Sequence, residues 1–267
     1  MQQTPLFEAF AIREHDVFAC VGAGGKTTIC WRLWAEFRAH GRFAVYTTTT
    51  HMLEPSLALD TALLLTIAPD PGQIRRLMKS VSRLALAASR LPDLLTDISN
   101  NPIAPTLPSK LAGLPPEQID RLIVVLPEIT WLIEADGARG KGLKTPAAHE
   151  PVIPACSTLV AVVAHLDAVG HPLDDTIAHR PEQIASVLGI KVGDPICADH
   201  VVRLMSTGLK GIPDGARAVA VLNQRDEARQ HPEVAYIAER LLAEGRYERV
   251  VAASLRAESP VLQVFTA

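Results

Sequence analysis

The sequence lacks an excess of charge of either sign. Its 267 residues carry 26 lysines and arginines against 29 aspartates and glutamates, with a formal net charge of −3 and a pI of about 6.3. A protein that coats nucleic acid, or that binds an anionic membrane through its overall charge, needs a strong basic excess. The composition therefore excludes a basic nucleic-acid coat, and we expect neither nucleic acid nor membrane among the partners.

Long apolar runs are also missing. No stretch approaches the roughly 18–20 residues that a spanning helix needs. The first 16 residues carry Glu8, Glu14 and Asp16 where a signal peptide requires an apolar run. We therefore expect a cytoplasmic protein.

Cysteine is scarce and unpatterned. Cys20, Cys30, Cys156 and Cys197 form no CxxC pair and no zinc-binding spacing with histidine. A disulfide framework and a structural metal both need such spacing. We expect four buried free thiols.

The first recognisable unit is a strand, a glycine loop and a helix. Residues 16–21 are an apolar run rich in β-formers, residues 22–25 read Gly-Ala-Gly-Gly, and residues 26–37 have helical composition. After Gly41, residues 43–48 form a second apolar run at the distance expected of a βαβ unit. This order predicts a parallel α/β sheet.

Apolar runs and helical segments alternate through the rest of the chain, without internal repeats. The predicted strands are 60–68, 131–137, 158–163, 217–222 and 249–253, and the predicted helices are 71–91, 181–189, 194–207 and 231–245. Residues 92–116 contain six prolines and predict a surface excursion. We predict an α/β fold of the P-loop NTPase type, with three layers and a mostly parallel, doubly wound sheet of six or seven strands, as a single domain over 1–267.

The glycine loop has the composition of a phosphate-binding loop. A dinucleotide fingerprint needs a third glycine where Thr27 stands, and an acid where the second strand ends in threonines. A phosphate loop needs glycines, a lysine for the β- and γ-phosphates and a hydroxyl for Mg²⁺ at a helix N-terminus. The predicted nucleotide-binding residues are Gly22, Ala23, Gly24, Gly25, Lys26, Thr27 and Thr28. The shortened GxGGKTT spacing resembles the GxxGKT loop of Mur-type ATP-dependent ligases.

Two carboxylates close the apolar run at 131–137. Alternation along a strand puts Glu134 and Asp136 on one side. Acids in this position hold Mg²⁺ and orient the nucleophile in P-loop enzymes. We assign Asp136 and Thr27 to Mg²⁺ and Glu134 to a base or metal ligand, with Lys26 as the third catalytic residue; a helix-capping acid and a solvated acid are the alternative.

Three further segments are candidates for contacts with phosphate or an anionic substrate. Thr48 and Thr49 leave the second predicted strand, Arg139, Lys141 and Lys144 lie among glycines, and His179 and Arg180 precede a proline that begins a helix. A strand end, a solvated loop and an ordinary helix start are the respective structural alternatives.

The segment 223–226 reads Asn-Gln-Arg-Asp after a predicted strand. It matches the guanine-reading NKxD element except for Gln224, so Asn223 and Asp226 favour GTP while Gln224 leaves ATP open. Asparagine and aspartate are also ordinary turn residues after a strand.

These motifs together resemble the YqeC family. The resemblance covers about residues 16–253, and its most specific block is Glu134 to Gly140, followed by Leu143-Lys144 and by His149 to Pro154. The chain differs from the family in having Gln224 and His51 where lysine is common. The resemblance implies a P-loop nucleotide-binding protein that helps to mature selenium-dependent molybdenum hydroxylases, with a hydroxylase or its cofactor-assembly proteins as partner.

The residues support one leading function and two alternatives. The leading function is a Mg²⁺-dependent nucleoside triphosphatase, or a transferase driven by ATP or GTP. The alternatives are a nucleotide-gated chaperone with little catalysis, and a small-metabolite kinase or Mur-like ligase.

Overall fold

A computed structural model describes residues 4–57, 60–91, 109–225 and 230–267. Its helices are α1 (Leu6–Ala9), α2 (Lys26–Ala39), α3 (Pro71–Leu77), α4 (Pro116–Val125), α5 (Pro181–Leu188), α6 (Ala198–Gly208) and α7 (Val234–Ala243), with a 3₁₀ turn at Leu166–Ala168. The strands are β1 (Val17–Gly22), β2 (Ala44–Thr48), β3 (His51–Leu53), β4 (Thr61–Leu65), β5 (Arg83–Ala87), β6 (Ser89–Arg90), β7 (Lys110–Ala112), β8 (Thr130–Glu134), β9 (Leu143–Lys144), β10 (Leu159–His165), β11 (Ala178–His179), β12 (Arg217–Asn223), β13 (Arg249–Ala253) and β14 (Val261–Thr266).

Nine of the strands in the described ranges form one sheet, in the order β14-β13-β12-β10-β1-β8-β2-β5-β4. All neighbouring pairs are parallel except β13 and β14. The predicted α/β class with a mostly parallel sheet is therefore confirmed. The predicted number of six or seven strands is too low, because β5 lies within the predicted helix 71–91 and the antiparallel edge strand β14 was not predicted.

The sheet separates two apolar cores. Val17, Ala19 and Val21 of β1 face the core covered by α3 to α7, whereas Phe18 and Cys20 face the core covered by α1 and α2. A strand that alternates between two cores is apolar throughout, as β1 is. Helices on both faces give the three layers that were predicted.

Three local predictions are corrected by the structure. The predicted helix 71–91 ends at Leu77, and Leu84 and Leu86 lie on β5 between β2 and β4. A short apolar run fits a helix and a buried strand equally well, and here sheet pairing decides.

The proline-rich segment is only partly described. Residues 92–108 lie outside the described residues, whereas the end of the segment forms β7, packs Leu111 and Leu114 in the interior and begins α4. The last part of the predicted excursion is therefore part of the fold.

The free thiols are not all buried. Cys20 and Cys30 are buried as predicted, but Cys156 is half-buried and Cys197 is exposed. In the described ranges, no helix combines the length and the apolar character needed to cross a membrane.

Candidate functional site

The glycine loop leaves the carboxyl end of β1 at the centre of the sheet. β8 lies on one side of β1 and β10 on the other, with Cys20 opposite Glu134 and Gly22 opposite Val163. Because parallel strands end at the same edge, the loop and the two acids at the end of β8, Glu134 and Asp136, meet there. Residues more than 100 positions apart thus form one site.

Two glycines let the loop lie against the end of β10. Gly22 has φ +92°, and a Cβ added there would clash with the backbone carbonyl of Val163. Gly24 has φ +82°, and its Cβ would lie 2.6 Å from Cβ of His165. Positive φ and close backbone contact both require glycine, so the sequence of the loop is dictated by its conformation.

The start of α2 presents a row of free backbone donors. The N–H of Ala23 donates to Val163 O at 2.9 Å, and the N–H of Gly22 donates to Asp136 Oδ2 at 2.9 Å. No side chain caps the helix, and the five N–H groups of residues 24–28 donate to no acceptor in the part of the chain that the structure describes. Uncapped donors at the positive end of a helix dipole bind anions. The start of α2 can therefore bind an anion.

The Lys26 side chain folds back under its own loop. Its Nζ donates to Gly22 O at 2.5 Å and lies 3.1 Å from Asp136 Oδ1, and its side chain is 6% exposed. Burial lowers the pKa of Lys26, but the carboxylates of Asp136 and Glu134 outweigh burial and raise the pKa above its ordinary value. The buried ammonium is therefore charged.

Glu134 lies against the hydroxyl groups of two neighbouring elements. Thr27 Oγ1 donates to its Oε2 at 3.1 Å, and Tyr46 OH donates to its Oε1. Burial raises the pKa of Glu134, and the Lys26 ammonium and both hydroxyl groups offset only part of the rise. Glu134 is thus a carboxyl whose proton affinity is raised, next to the first turn of α2.

Asp136 joins the loop to a second lysine. Lys144 Nζ lies 2.9 Å from Asp136 Oδ2, while Asp136 Oδ1 accepts no well-aligned hydrogen bond although Lys26 Nζ is 3.1 Å away. A buried carboxylate oxygen without a hydrogen bond is uncommon. Its close partner among the described residues is the Lys26 ammonium, so it can bind a cation only if Lys26 turns to another acceptor.

The oxygen atoms around the loop fit Mg²⁺. Within the described ranges, no three His, Cys, Asp or Glu side chains form a cage able to hold a metal ion. Mg²⁺ does not need such a cage, since it is commonly bound by one or two carboxylates and by substrate phosphates. Asp136 Oδ1 would supply a carboxylate oxygen and Thr27 Oγ1 a hydroxyl oxygen beside the free N–H groups.

Ion pairs extend from Asp136 to the protein surface. Lys144 Nζ also lies 3.0 Å from Glu150 Oε2, and Arg180 Nη1 lies 3.0 Å from the same oxygen. The Lys144 side chain is 1% exposed and also donates to Gly137 O at 2.8 Å. Lys144 therefore faces protein oxygens, whereas the substrate role that the sequence suggests needs an accessible ammonium.

The other residues predicted to contact substrate fall into two groups. Thr48 Oγ1 donates to Glu134 O and Thr49 Oγ1 to Val152 O, both at 2.7 Å, so these hydroxyl groups brace the chain after β2 and β8. The remaining residues lie together near the end of β11: Arg139 is exposed, Lys141 and Arg180 are half-exposed and His179 is buried.

Asn223 faces the glycine loop. Its Nδ2 donates to Gly24 O at 2.6 Å, and its Oδ1 accepts from Leu255 N at 3.1 Å. Gln224 Oε1 accepts from His231 N at 2.8 Å. Asp226 lies outside the described residues. The described part of this segment therefore supports the loop, and the guanine-reading role of Asn223 and Asp226 stays a prediction.

Sequence reasoning did not select Tyr46 or Glu150. Tyr46 looks like an ordinary buried aromatic of a strand, and its contact with Glu134 depends on β2 lying beside β8. Glu150 belongs to the specific His149 to Pro154 block of the resemblance, which was the one available signal.

Comparison with known proteins identifies related sequences. The model of the family described as "YqeC protein" matches residues 18–182, which include the glycine loop, both acids at the end of β8 and Arg180. A protein of Escherichia coli (strain K12) described as "Uncharacterized protein YqeC" is 32% identical over 225 residues, which cover 80% of this chain and 78% of that protein. No solved structure matches the chain significantly.

Proposed function

This chain belongs to the YqeC family, and from that membership and the geometry of the loop we propose that it binds a nucleoside triphosphate with Mg²⁺ and hydrolyses it or transfers part of it. The observation that carries the proposal is the row of five free N–H donors at residues 24–28. We further propose that this activity serves the maturation of selenium-dependent molybdenum hydroxylases, as the family resemblance implies.

Lys26 binds the phosphates by exchanging partners. In the described arrangement its ammonium neutralises Asp136 and contacts the carbonyl of Gly22. A phosphate oxygen is a stronger, charged acceptor than a carbonyl. Asp136 does not lose its counter-charge when Lys26 turns to phosphate, because Lys144 lies 2.9 Å from its other oxygen.

Thr27 and Asp136 would hold Mg²⁺, which when bound neutralises charge on the β- and γ-phosphates. Glu134 has the raised pKa and the position of a proton acceptor next to Thr27. Tyr46 orients the Glu134 carboxylate through its hydroxyl. The protein thus contributes positioning and electrostatic stabilisation, which account for most of the catalysis of phosphoryl transfer.

ATP and GTP are both candidates for the nucleotide. Asn223 is bound to the loop through Gly24 and to Leu255 on its other side. Its two hydrogen bonds support the phosphate site equally for either base.

Calorimetric titration with ATP and GTP, each with and without Mg²⁺, tests the proposal. We expect Lys26→Ala to weaken Mg²⁺-nucleotide binding at least about tenfold, since a charged hydrogen bond contributes about 1.5–3 kcal/mol. The matched control is Lys79→Ala, which removes an exposed lysine beyond α3. Equal affinities in both variants, or no binding by the wild type, would contradict the phosphate site.

Phosphate release and client binding separate the proposed activities. Release that is lost in Lys26→Ala and Asp136→Ala supports catalysis. Binding without release, together with nucleotide-dependent capture of a selenium-dependent molybdenum hydroxylase, supports the nucleotide-gated chaperone instead. Capture that is insensitive to ATP and GTP contradicts that chaperone role.

A further inference from the structure

We propose that Arg139, His179 and Arg180 form a second anion-binding subsite beside the nucleotide loop, which binds a small molecule carrying phosphate or carboxylate groups. The inference deepens the proposed function and rests on it, since it names the class of compound that binds next to the nucleotide.

The subsite is attached to the strand end that supports the glycine loop. β9 and β11 pair in parallel, with His179 opposite Lys144. The N–H groups of Gly142 and Leu143 donate to Ile177 O at 2.9 and 3.1 Å, and the N–H of His165 donates to Gly142 O at 3.0 Å. Both sites are therefore built on the carboxyl end of β10.

A chain of alternating charges links the two sites. It runs from Asp136 to Lys144 at 2.9 Å, from Lys144 to Glu150 at 3.0 Å, and from Glu150 to Arg180 at 3.0 Å. Arg180 is its most exposed member, with 32% of the side chain accessible. Only Nη1 of its guanidinium contacts a carboxylate in the described ranges. A guanidinium has five N–H donors, so Arg180 retains donors for an external oxyanion.

Both arginines have a constrained backbone. Arg139 has φ +48° and Arg180 has φ +61°, and they are two of the four residues other than glycine with positive φ in the described ranges. Such residues concentrate at functional sites because the conformation is costly. Arg180 keeps this conformation at the residue just before α5, where its side chain contacts Glu150.

The local charges favour an anion. Arg139 is exposed and has no carboxylate partner in the described part of the chain. His179 is 9% exposed as a whole residue, and its imidazole makes no hydrogen bond with any described residue. Burial and the cations Arg180, Lys144 and Arg139 lower the pKa of His179, against the opposing charge of Glu150. A neutral imidazole and two accessible guanidinium groups are the residue types that bind phosphate and carboxylate.

The test measures binding of inorganic phosphate and of citrate to the full chain saturated with MgADP, which occupies the phosphate loop. We expect Arg180→Gln to weaken binding of at least one probe tenfold or more, and Arg139→Gln to weaken the same probe. The matched control is Arg13→Gln, which removes an exposed arginine before β1. The glycine loop leaves the other end of that strand. Preference for phosphate indicates a phosphorylated compound, and preference for citrate indicates a carboxylate.

Three outcomes overturn the subsite. They are no binding of either probe by the wild type, equal weakening in Arg180→Gln and Arg13→Gln, and full affinity in Arg180→Gln. The variant Arg180→Lys, which keeps the charge facing Glu150, is expected to fold normally and to bind more weakly than the wild type because it lacks the planar fork. Unchanged binding in Arg180→Lys and Arg139→Gln together also contradicts the subsite, even where Arg180→Gln fails to fold.

Failure of the proposed nucleotide site can be distinguished from failure of the proposed anion subsite. Lys26→Ala is expected to lose the nucleotide and to keep anion binding that depends on Arg180. If the wild type does not bind MgADP, the proposed function fails, and the same probes titrated into the free chain still test Arg139 and Arg180.

Discussion

Replacing Lys144 by methionine tests the buried charge chain most directly, that is, the ion pairs that run from Asp136 through Lys144 and Glu150 to Arg180. The Lys144 ammonium is shared by two carboxylates, Asp136 and Glu150, and its side chain is 1% exposed. Methionine has a similar length and packs well in apolar surroundings, so the substitution removes the charge with little change in volume. The effect on stability therefore measures the electrostatic contribution.

We expect a large loss of stability in Lys144→Met. Removing one partner of a buried ion pair typically costs about 3–5 kcal/mol, and we expect the lower end of that range because Asp136 keeps Lys26 and Glu150 keeps Arg180. For a protein of this size each kcal/mol corresponds to a shift in Tm of about 2–4 °C. We expect Tm to fall by roughly 10 °C and the free energy of unfolding in urea to fall by several kcal/mol at pH 7.

The loss of stability in Lys144→Met should depend on pH. Although burial by itself raises the pKa of Glu150, hydrogen bonding and charge from Lys144 outweigh it, and the pKa lies below its ordinary value. A carboxylate of this kind stabilises the folded state above its unfolded pKa, and the contribution disappears as the pH falls through the folded pKa. In Lys144→Met the Glu150 carboxylate keeps Arg180 and the N–H of Ala147 but loses the Lys144 ammonium, so its pKa rises. The variant then takes up a proton more readily than the wild type, and the difference in stability should shrink as the pH falls from 7 to about 4.

Lys141→Met is the matched control. Lys141 is half-exposed and has no ion pair among the described residues, so its loss should change stability by no more than about 0.5 kcal/mol. The double variant Lys144→Met/Glu150→Gln should recover part of the lost stability, since it removes the negative charge that Lys144→Met leaves in excess. Equal stability of Lys144→Met and Lys141→Met would refute the buried charge chain.

Two further predictions concern the loop and Glu134. Asn223→Ala removes the hydrogen bond to Gly24 O and should weaken ATP and GTP binding by the same factor in calorimetric titration; a loss confined to GTP would show that Asn223 reads the base. Tyr46→Phe removes a donor to the Glu134 carboxylate, which raises the pKa of Glu134 further and should move the acidic limb of the phosphate-release profile to higher pH. The control Tyr236→Phe changes an exposed tyrosine, and an identical profile in the wild type and in Tyr46→Phe would contradict the role of Glu134.

Local sequence was sufficient to predict the βαβ unit. β1, the glycine loop and α2 follow directly in the chain, and each has a composition that one local conformation satisfies. Glycine at Gly22 and Gly24 is required by positive φ and close contact. Local composition predicted a helix where β5 lies. This prediction was wrong because a short apolar run acquires its conformation from the strands that pair with it.

The sequence by itself determined the α/β class, the glycine loop between β1 and α2, and the presence of two acids at the end of a buried strand. Only the tertiary structure decided which residues share the site. The order of the strands places β8 beside β1, and the pairing of β9 with β11 places Arg180 beside Glu150. Asn223 hydrogen-bonds to Gly24, which is 199 positions away in the sequence. Local propensity acts over a few residues, whereas ion pairs and hydrogen bonds form between whichever strand ends the packing brings together, and for that reason Lys144, predicted to contact substrate, is buried between two carboxylates of its own chain.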